Sequence, residues 1–176
     1  IIERKTKLKL NKDFHCGYSP ERVNPGDDKR TIEKIIKVTS GSNEKAAKAV
    51  DDIYNQVINA GTYKADSIKI AEMSKVIENA QRDLNIGLMN EIALICNKLK
   101  IDTNSVLSAA KSKWNFLDFY PGLVGGHCIS VDPYYLTFKS RQIKYNPELI
   151  LAARKINDNL STFIADQILQ GLNYKR

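Results

Sequence analysis

A long segment without proline places the strongest constraint on the fold. Asp66 or Ser67 can cap the start of a helix that continues to about Lys100, with Gly87 as its single internal glycine. Apolar side chains recur along this segment at helical spacing, at Met73, Ile77, Ala80, Leu84, Leu88, Ile92, Ile95 and Leu99. At 1.5 Å per residue the helix would be about 50 Å long. Such a length indicates an architectural spine or a dimer element, although the apolar stripe could equally pack within one chain.

The residues before this segment predict α/β structure. Short strands are expected over 14–19, 34–39 and 62–65, with a helix over 43–58 between the last two. These strands have too few partners for a complete sheet. Neither G-x-G-x-x-G nor G-x-x-x-x-G-K-[ST] occurs in the sequence, so the usual phosphate-binding loops are absent from this chain.

The residues after the long segment predict two more helices with a loop between them. Asp102 can begin a helix over 103–113, and Asn146-Pro147-Glu148 is a strong start for a final helix. Between them, 114–132 is rich in aromatic residues and glycine, which is typical of a loop. The sequence therefore predicts a mostly helical chain whose first part has α/β structure.

Composition excludes several classes of protein. Hydrophobic residues make up 43% of the chain and charged residues 27%, which is ordinary for a globular protein and excludes collagen-like or wholly disordered chains. No apolar run is long enough for a transmembrane helix. The net charge of +7 leaves nucleic acid, an acidic membrane surface or a phosphorylated small molecule open as partners. Because the basic residues are scattered, a solvated surface is favoured over a nucleic-acid interface.

The cysteines indicate a reducing compartment. Cys16, Cys96 and Cys128 are odd in number and widely spaced, which argues against a disulfide framework and for the cytoplasm. No C-x-x-C pair occurs, and only His15 and His127 could add imidazole ligands. We therefore expect no metal site.

Cys128 is the first candidate for chemistry. It follows Gly125, Gly126 and His127 in the predicted loop, where glycines let the backbone approach a ligand closely. A cysteine in such a loop can act as a nucleophile, or it can be a buried and inert thiol. His127 is a poor base for it, because neighbouring side chains on an extended loop point apart.

Lys75 and Asn79 are the second candidate. They lie four residues apart on the predicted long helix and share a face that continues through Asp83 and Asn90. A lysine and an amide on one face can stabilise a developing oxyanion. The same pattern also fits an ordinary solvated face.

Two acidic residues are weaker candidates. Asp132 follows the cysteine loop and could orient water or a proton, or form a turn before the next proline. Glu21 lies in a Ser-Pro-Glu-Arg segment and carries little meaning by itself.

Four segments taken together resemble the UDP-glucose/GDP-mannose dehydrogenase family of NAD-dependent nucleotide-sugar 6-dehydrogenases. They are 17–27, 67–91, 113–136 and 153–159, and they occur in the family's order across almost the whole chain. The segment GLVGGHCISVDPYYL is most similar to the branch that acts on UDP-N-acetylhexosamines.

The resemblance implies a fold class and a domain organisation. Residues 1–65 would be the C-terminal part of an NAD-binding Rossmann-like domain, and 66–176 a central helical dimerisation domain that carries the catalytic cysteine loop. The fold class is then mixed α/β and mostly helical, with the end of a Rossmann-type domain followed by an all-α domain with one long helix. The start of the NAD domain and the C-terminal UDP-binding domain are expected to be absent, as in an internal fragment.

The resemblance also implies a mechanism. The C6 hydroxyl of the sugar is oxidised to an aldehyde, which Cys128 attacks as a thiolate; the thiohemiacetal is oxidised to a thioester, and water releases the uronic acid. NAD is the cofactor and accepts both hydrides. Lys75 and Asn79 would hold the C6 oxygen, and Lys75 would also lower the pKa of the thiol. Asp132 would act on protons near the thiol, and Glu21 would be a general base.

Substrate and partners follow from the same resemblance. The expected function is oxidation of a UDP-N-acetylhexosamine for surface polysaccharide synthesis, with a homodimer formed through the long helix and no nucleic-acid or membrane partner. UDP-glucose, UDP-ManNAc and GDP-mannose remain alternative substrates. For this chain alone, an inactive dimerisation or scaffold module and a basic nucleic-acid-binding domain remain alternatives. NAD-contacting residues are not assigned. The residues that match substrate-contacting stretches are Arg22, Val23, Phe116, Leu117, Gly125 and Gly126.

Overall fold

The structure, a computed structural model, describes residues 1–24, 26–126 and 129–173. It divides into two compact units, Ile1–Lys75 and Val76–Arg176, whose boundary falls inside the long helix. This division separates compact units. The boundary predicted after residue 65 separates the domains of the family, and it stays a prediction.

The first unit contains a small sheet. Its elements in chain order are α1 (Ile2–Thr6), β1 (Gly17–Tyr18), a 3-10 turn (Ile32–Lys34), β2 (Lys37–Gly41), α2 (Glu44–Asn55) and β3 (Thr62–Lys64). The strand order is β1-β2-β3, with β1 antiparallel and β3 parallel to β2. Because α2 connects the parallel pair, β2, α2 and β3 form a β-α-β unit. The three predicted strands are present but shorter than expected.

Helix α2 packs directly on strand β2. Asn43 caps the helix by accepting a hydrogen bond from the Ala46 N–H at 2.9 Å. A Cβ on Gly41 would lie 2.1 Å from the backbone nitrogen of Ala47, so only glycine allows this approach. Val38, Ala65 and Ala71 form the core of the unit, with Tyr18 packed against them.

The second unit is entirely helical within its described residues. It holds the rest of α3 (Ile68–Leu99), then α4 (Thr103–Lys111), α5 (Asp132–Gln142) and α6 (Glu148–Asn173). The helix predicted over 67–100 is confirmed, and Ser67 Oγ accepts a hydrogen bond from the Ile70 N–H at its start. The helices predicted after Asp102 and Asn146 are also confirmed. Gly87 lets α3 approach α6, since its Cβ would lie 3.2 Å from the Cβ of Ala153.

The observed elements confirm the predicted fold class. The chain is mostly helical, with a small α/β beginning and one dominant helix of 32 residues. Two helices were not predicted: α1 and α5. Helix α5 lacks a helical apolar stripe, and its start at Asp132-Pro133 reads equally well as a turn.

The predicted apolar stripe of α3 is mostly exposed. Five of its eight residues are between 47% and 63% exposed, namely Met73, Ile77, Leu88, Ile95 and Leu99, whereas Ala80 is buried. The buried side of α3 in the second unit carries Asn79, Asp83 and Asn90 instead. The interpretation of the stripe as the interior of one chain is therefore wrong for most of its residues. The interpretation of the Asn79–Asp83–Asn90 face as a solvated surface is also wrong.

Within the described ranges, none of the helices combines the length and the apolar character that crossing a membrane requires.

The contact at Gly41 gives a stability prediction. Gly41→Ala forces a methyl group into the α2 backbone, so we expect a loss of about 1–3 kcal/mol in the free energy of unfolding, measured by urea denaturation. Gly171→Ala is the control, because nothing lies within 4 Å of its Cβ and alanine favours the helix by up to about 1 kcal/mol. Equal stability of the two variants would contradict the described packing of α2 on β2.

Candidate active site

Helix α3 brings Asn79 and Asp132 together. The buried Asn79 side chain donates a hydrogen bond from Nδ2 to Oδ2 of Asp132 at 2.6 Å, across 53 residues of sequence. Asp132 is the first residue of α5, where the helix dipole favours a carboxylate. Two of the predicted site residues therefore lie in direct contact.

Lys75 lies one helical turn before Asn79 on α3, and its side chain is half-buried. The predicted spacing of these two residues on one helix is confirmed. A half-buried lysine keeps its charge close to the helix surface while its stem packs on neighbouring groups.

The loop that should carry the nucleophile is described only in part. Cys128 and His127 lie outside the described residues. Before them, Gly126 has φ of +84°, a left-handed conformation that favours glycine, and Ser130 Oγ donates a hydrogen bond to the Gly126 carbonyl at 2.5 Å. A Cβ on Gly125 would meet nothing within 4 Å, so packing of the described residues gives no reason for glycine there.

The start of the same loop is held by α4. Lys111 pairs with Asp118 at 2.5 Å, and its Nζ lies 3.3 Å from the centre of the Tyr120 ring. Of the predicted substrate contacts in this stretch, Phe116 is half-buried and Leu117 is exposed.

A buried polar network between α3 and α6 is a feature that sequence reasoning missed. Asp83 and Asn90 on α3 contact Arg154 and Asn157 on α6, and all four side chains are at most 4% exposed. Burial raises the pKa of Asp83, against the opposing effects of the Asn157 hydrogen bond and the Arg154 charge. The signal was available, since polar residues repeat at helical spacing on both segments, but it was indistinguishable from a solvated face.

Backbone N–H groups of the two following residues hold the Glu21 side chain in the first unit. Its Oε1 accepts hydrogen bonds from the N–H groups of Arg22 and Val23, both at 2.8 Å. The Lys37 ammonium lies 3.7 Å from Oε2 and donates to the Pro20 carbonyl at 3.0 Å. The hydrogen bond from Val23, which outweighs the opposing effect of burial, and those of Arg22 and Lys37 lower the pKa of Glu21.

Two predicted substrate-binding residues therefore have a structural role. The backbones of Arg22 and Val23 orient Glu21, and the Arg22 guanidinium donates to the Ile36 carbonyl at 2.8 Å. Lys37, which sequence reasoning also missed, is only 5% exposed although it is a lysine. Its position in the apolar strand β2 gave no hint of a charged contact.

The remaining cysteines show no sign of a metal centre. Cys16 is half-buried and Cys96 is buried, and both are free thiols. In the part of the chain that the structure describes, three or more His, Cys, Asp or Glu side chains do not gather into a group that could hold a metal ion.

Comparison with known proteins gives the family. The sequence pattern of the UDP-glucose/GDP-mannose dehydrogenase family, central domain, matches residues 69–159, which is more than half of the chain. The chain therefore belongs to the UDP-glucose/GDP-mannose dehydrogenase family.

Two sequence relatives are named for one activity. The chain is 58% identical over 172 residues to a UDP-N-acetyl-D-glucosamine 6-dehydrogenase of Salmonella typhi, and 54% identical over 176 residues to one of Pseudomonas aeruginosa. These alignments cover 98% and 100% of this chain but 40% and 42% of the relatives. The chain thus spans about 40% of the length of the curated relatives it matches.

Solved structures of related dehydrogenases have the same fold. A UDP-D-ManNAc dehydrogenase from Pyrococcus horikoshii aligns with a TM-score of 0.84 at 29% identity, covering 99% of this chain and 41% of that one. An NDP-N-acetyl-D-galactosaminuronic acid dehydrogenase from Methanosarcina mazei Go1 aligns with a TM-score of 0.85 at 28% identity, covering 98% and 39%. The two compact units are thus part of a dehydrogenase fold.

The contacts of Glu21 give a prediction of its titration. Lys37→Met keeps the length of the buried side chain but removes the charge beside Glu21, so we expect the pKa of Glu21 to rise. It should stay below that of an ordinary exposed glutamate, because the N–H groups of Arg22 and Val23 still donate to it. The measurement is an NMR titration of the Glu21 carboxyl carbon between about pH 7 and pH 2.

Lys34→Met is the matched control, since it removes the same charge from an exposed lysine. A pKa of Glu21 that is the same in both variants would show that Lys37 does not act on this carboxylate.

Proposed function

We propose that this chain is part of an NAD-dependent UDP-N-acetylhexosamine 6-dehydrogenase. The reaction oxidises the C6 hydroxyl of the sugar to a carboxylate in two steps of two electrons each. The observation that carries the proposal is the hydrogen bond between Asn79 and Asp132, because Asp132 ends the predicted loop that contains Cys128. The 58% identical relative named for this activity supports it.

The cofactor is proposed from the family alone. NAD+, when bound, supplies the hydride acceptor for each oxidation. The G-x-G-x-x-G loop that binds the diphosphate of NAD does not occur in this sequence, so the residues present do not fit that part of the cofactor. We therefore expect no turnover by these residues alone, and the roles below concern only side chains of this chain.

Lys75 and Asn79 would hold the oxygen at C6. Asp132 accepts one N–H of the Asn79 amide, which fixes the orientation of that amide on α3. The second N–H can then donate to the substrate oxygen as negative charge builds on it. The Lys75 ammonium, one turn away on the same helix, would add a positive charge.

Cys128 would provide the nucleophile. Its thiolate forms a C–S bond with the C6 aldehyde, and the aldehyde oxygen takes up a proton to give a thiohemiacetal. Loss of a hydride from that carbon, to the cofactor when it is bound, and loss of the proton from its hydroxyl would give a thioester. Water then adds to the thioester, and the C–S bond breaks to release the carboxylate and the thiol. A nearby ammonium such as Lys75 would favour the thiolate.

Asp132 and Glu21 would handle protons. The hydrogen bond from Asn79 orients the Asp132 carboxyl group, which would act on protons during the reaction. Glu21 would act as a general base toward water. The contacts that lower its pKa orient the carboxylate and keep it ionised, and they also make it a weaker base.

The sugar is proposed from the relatives. Relatives at 58% and 54% identity are named for UDP-N-acetyl-D-glucosamine, whereas a UDP-N-acetyl-D-mannosamine dehydrogenase of Methanococcus maripaludis is 36% identical. We propose UDP-N-acetylglucosamine as the preferred substrate, with UDP-N-acetylgalactosamine as the nearest alternative. The open space beside Gly125 supports a ligand contact there. The proposed sugar contacts are Arg22, Val23, Phe116, Leu117, Gly125 and Gly126.

We further propose a cytoplasmic homodimer. The exposed stripe of α3 supports dimerisation, because several large apolar side chains on one helix face gain free energy when a second copy covers them. The free thiols Cys16 and Cys96 support a reducing compartment.

The nucleophile gives the central test of this function. In the full-length protein, Cys128→Ser should lower NADH formation from UDP-N-acetylglucosamine by at least about 10³-fold, because serine lacks a thiolate to form the thioester. Binding of the UDP-sugar, measured by calorimetry, should change little.

Cys16→Ser is the matched control, since that thiol lies in the first unit on no predicted site, and its turnover should match the wild type. Turnover by Cys128→Ser near the wild-type rate would remove Cys128 from the mechanism. Initial rates with UDP-N-acetylgalactosamine, UDP-N-acetylmannosamine and UDP-glucose would rank the substrates.

The exposed stripe gives a test of dimerisation. Leu88→Asp places a charge in the middle of the stripe, so we expect the dimer dissociation constant to rise by at least about tenfold in sedimentation velocity of the full-length protein. Val57→Asp, an equally exposed apolar position outside the stripe, should leave it unchanged. A Leu88→Asp protein with the same dissociation constant would exclude this face as the interface.

A further inference from the structure

The buried network between α3 and α6 reaches the loop that joins α4 to α5. We propose that Asn90 and Asn157 are positioning residues of the reaction: they orient the backbone at Gly122, inside the loop that leads to Asp132. This inference rests on the proposed function. It assigns these two amides a role that their burial alone does not explain.

Asn90 binds both backbone polar groups of one residue, Gly122. Its Oδ1 accepts a hydrogen bond from the Gly122 N–H at 2.8 Å, and its Nδ2 donates to the Gly122 carbonyl at 3.0 Å. A carboxamide offers a donor and an acceptor in one plane, whereas a carboxylate only accepts and a hydroxyl is shorter. The contact thus fixes the Gly122 backbone in both position and direction.

The direction of the Asn90 amide is set by its neighbours. The Asp83 backbone carbonyl can only accept, so Asn157 must turn its Nδ2 toward it, at 3.0 Å from that carbonyl and 2.7 Å from Asp83 Oδ1. The Oδ1 of Asn157 then faces Asn90 and accepts from its Nδ2 at 2.8 Å. This contact leaves Oδ1 of Asn90 for the Gly122 N–H.

Arg154 extends the same network to the far end of the loop. It donates to Asp83 at 2.6 Å and also to Asp158, which accepts a hydrogen bond from the Tyr134 hydroxyl at 2.6 Å. Tyr134 lies in the first turn of α5, just after Asp132. The loop at Gly122 and the first turn of α5 are therefore connected to the same group of side chains on α3 and α6.

Stability alone is a poor reason for such a network. Burying an ion pair and two amides costs desolvation energy, and well-packed apolar residues of similar size often serve a helix interface as well or better. A network in which Asp83 orients Asn157 and Asn157 orients Asn90 specifies one loop position instead. Misplacement of a reacting group by about 1 Å can lower the rate by about 10²-fold. A fixed backbone position at Gly122 would therefore favour the reaction.

The test uses the full-length protein and UDP-N-acetylglucosamine. Asn90→Asp keeps the size of the side chain but places a carboxylate oxygen against two acceptors, the Gly122 carbonyl and Asn157 Oδ1. We expect kcat to fall by at least about tenfold while KM for the UDP-sugar stays within about twofold. Rates are taken well below the thermal midpoint of each variant, so that only folded protein is compared.

Asn97→Asp is the matched control, because it makes the same chemical change on an exposed part of α3, and its kcat should equal that of the wild type. Asn90→Gln, which keeps both the donor and the acceptor, should recover part of the lost kcat. If Asn90→Asp does not fold, the uncharged Asn90→Ser is measured in its place with the same expectation.

The outcomes separate this inference from the proposed function. An active wild type whose Asn90 variant keeps kcat within about twofold, or loses it equally in Asn97→Asp, overturns the positioning role only. A wild type that forms no NADH from any UDP-sugar overturns the proposed function together with this inference.

Discussion

The ion pair between Asp83 and Arg154 is the interaction on which the second unit depends. It joins α3 to α6, and each charge is almost fully removed from water. Loss of Arg154 would leave the buried Asp83 carboxylate without its counter-charge, which typically costs about 3–5 kcal/mol. Asn157 takes its orientation from Asp83, and Asn90 takes its orientation from Asn157, so the pair also determines how α3 and α6 meet the loop between α4 and α5.

In the first unit a charged side chain is also held in one orientation. Two successive backbone N–H groups after β1 donate hydrogen bonds to the Glu21 carboxylate. Lys37 lies at the start of β2 with its charge directed to that turn. In each unit, regular elements therefore position polar groups in adjoining irregular segments. This arrangement is common where a rigid scaffold presents residues for binding or catalysis.

Local sequence signals predicted most of the fold. Asn43, Ser67 and Asp102 each cap a helix as their residue type suggests, and the absence of proline predicted the length of α3. Asn79 and Asp132 were named separately as site residues, but their contact across 53 residues was not predicted. The Asp83–Arg154 network could not be predicted, because an amphipathic pattern reports which face is apolar but not which face is covered. On α3 the two differ: Leu88 is exposed while Asn90 is buried.

This reversal has a consequence for folding. Hydrophobic collapse alone would favour a rotated α3, with its stripe turned toward α6 and its polar side toward solvent. That competing state is disfavoured because the polar side chains of α6, Arg154 and Asn157, would then face leucine and isoleucine without partners. The polar contact thus selects the correct rotation of the longest helix in the described chain. It does so by penalising the alternative, while leaving the apolar face available for another surface.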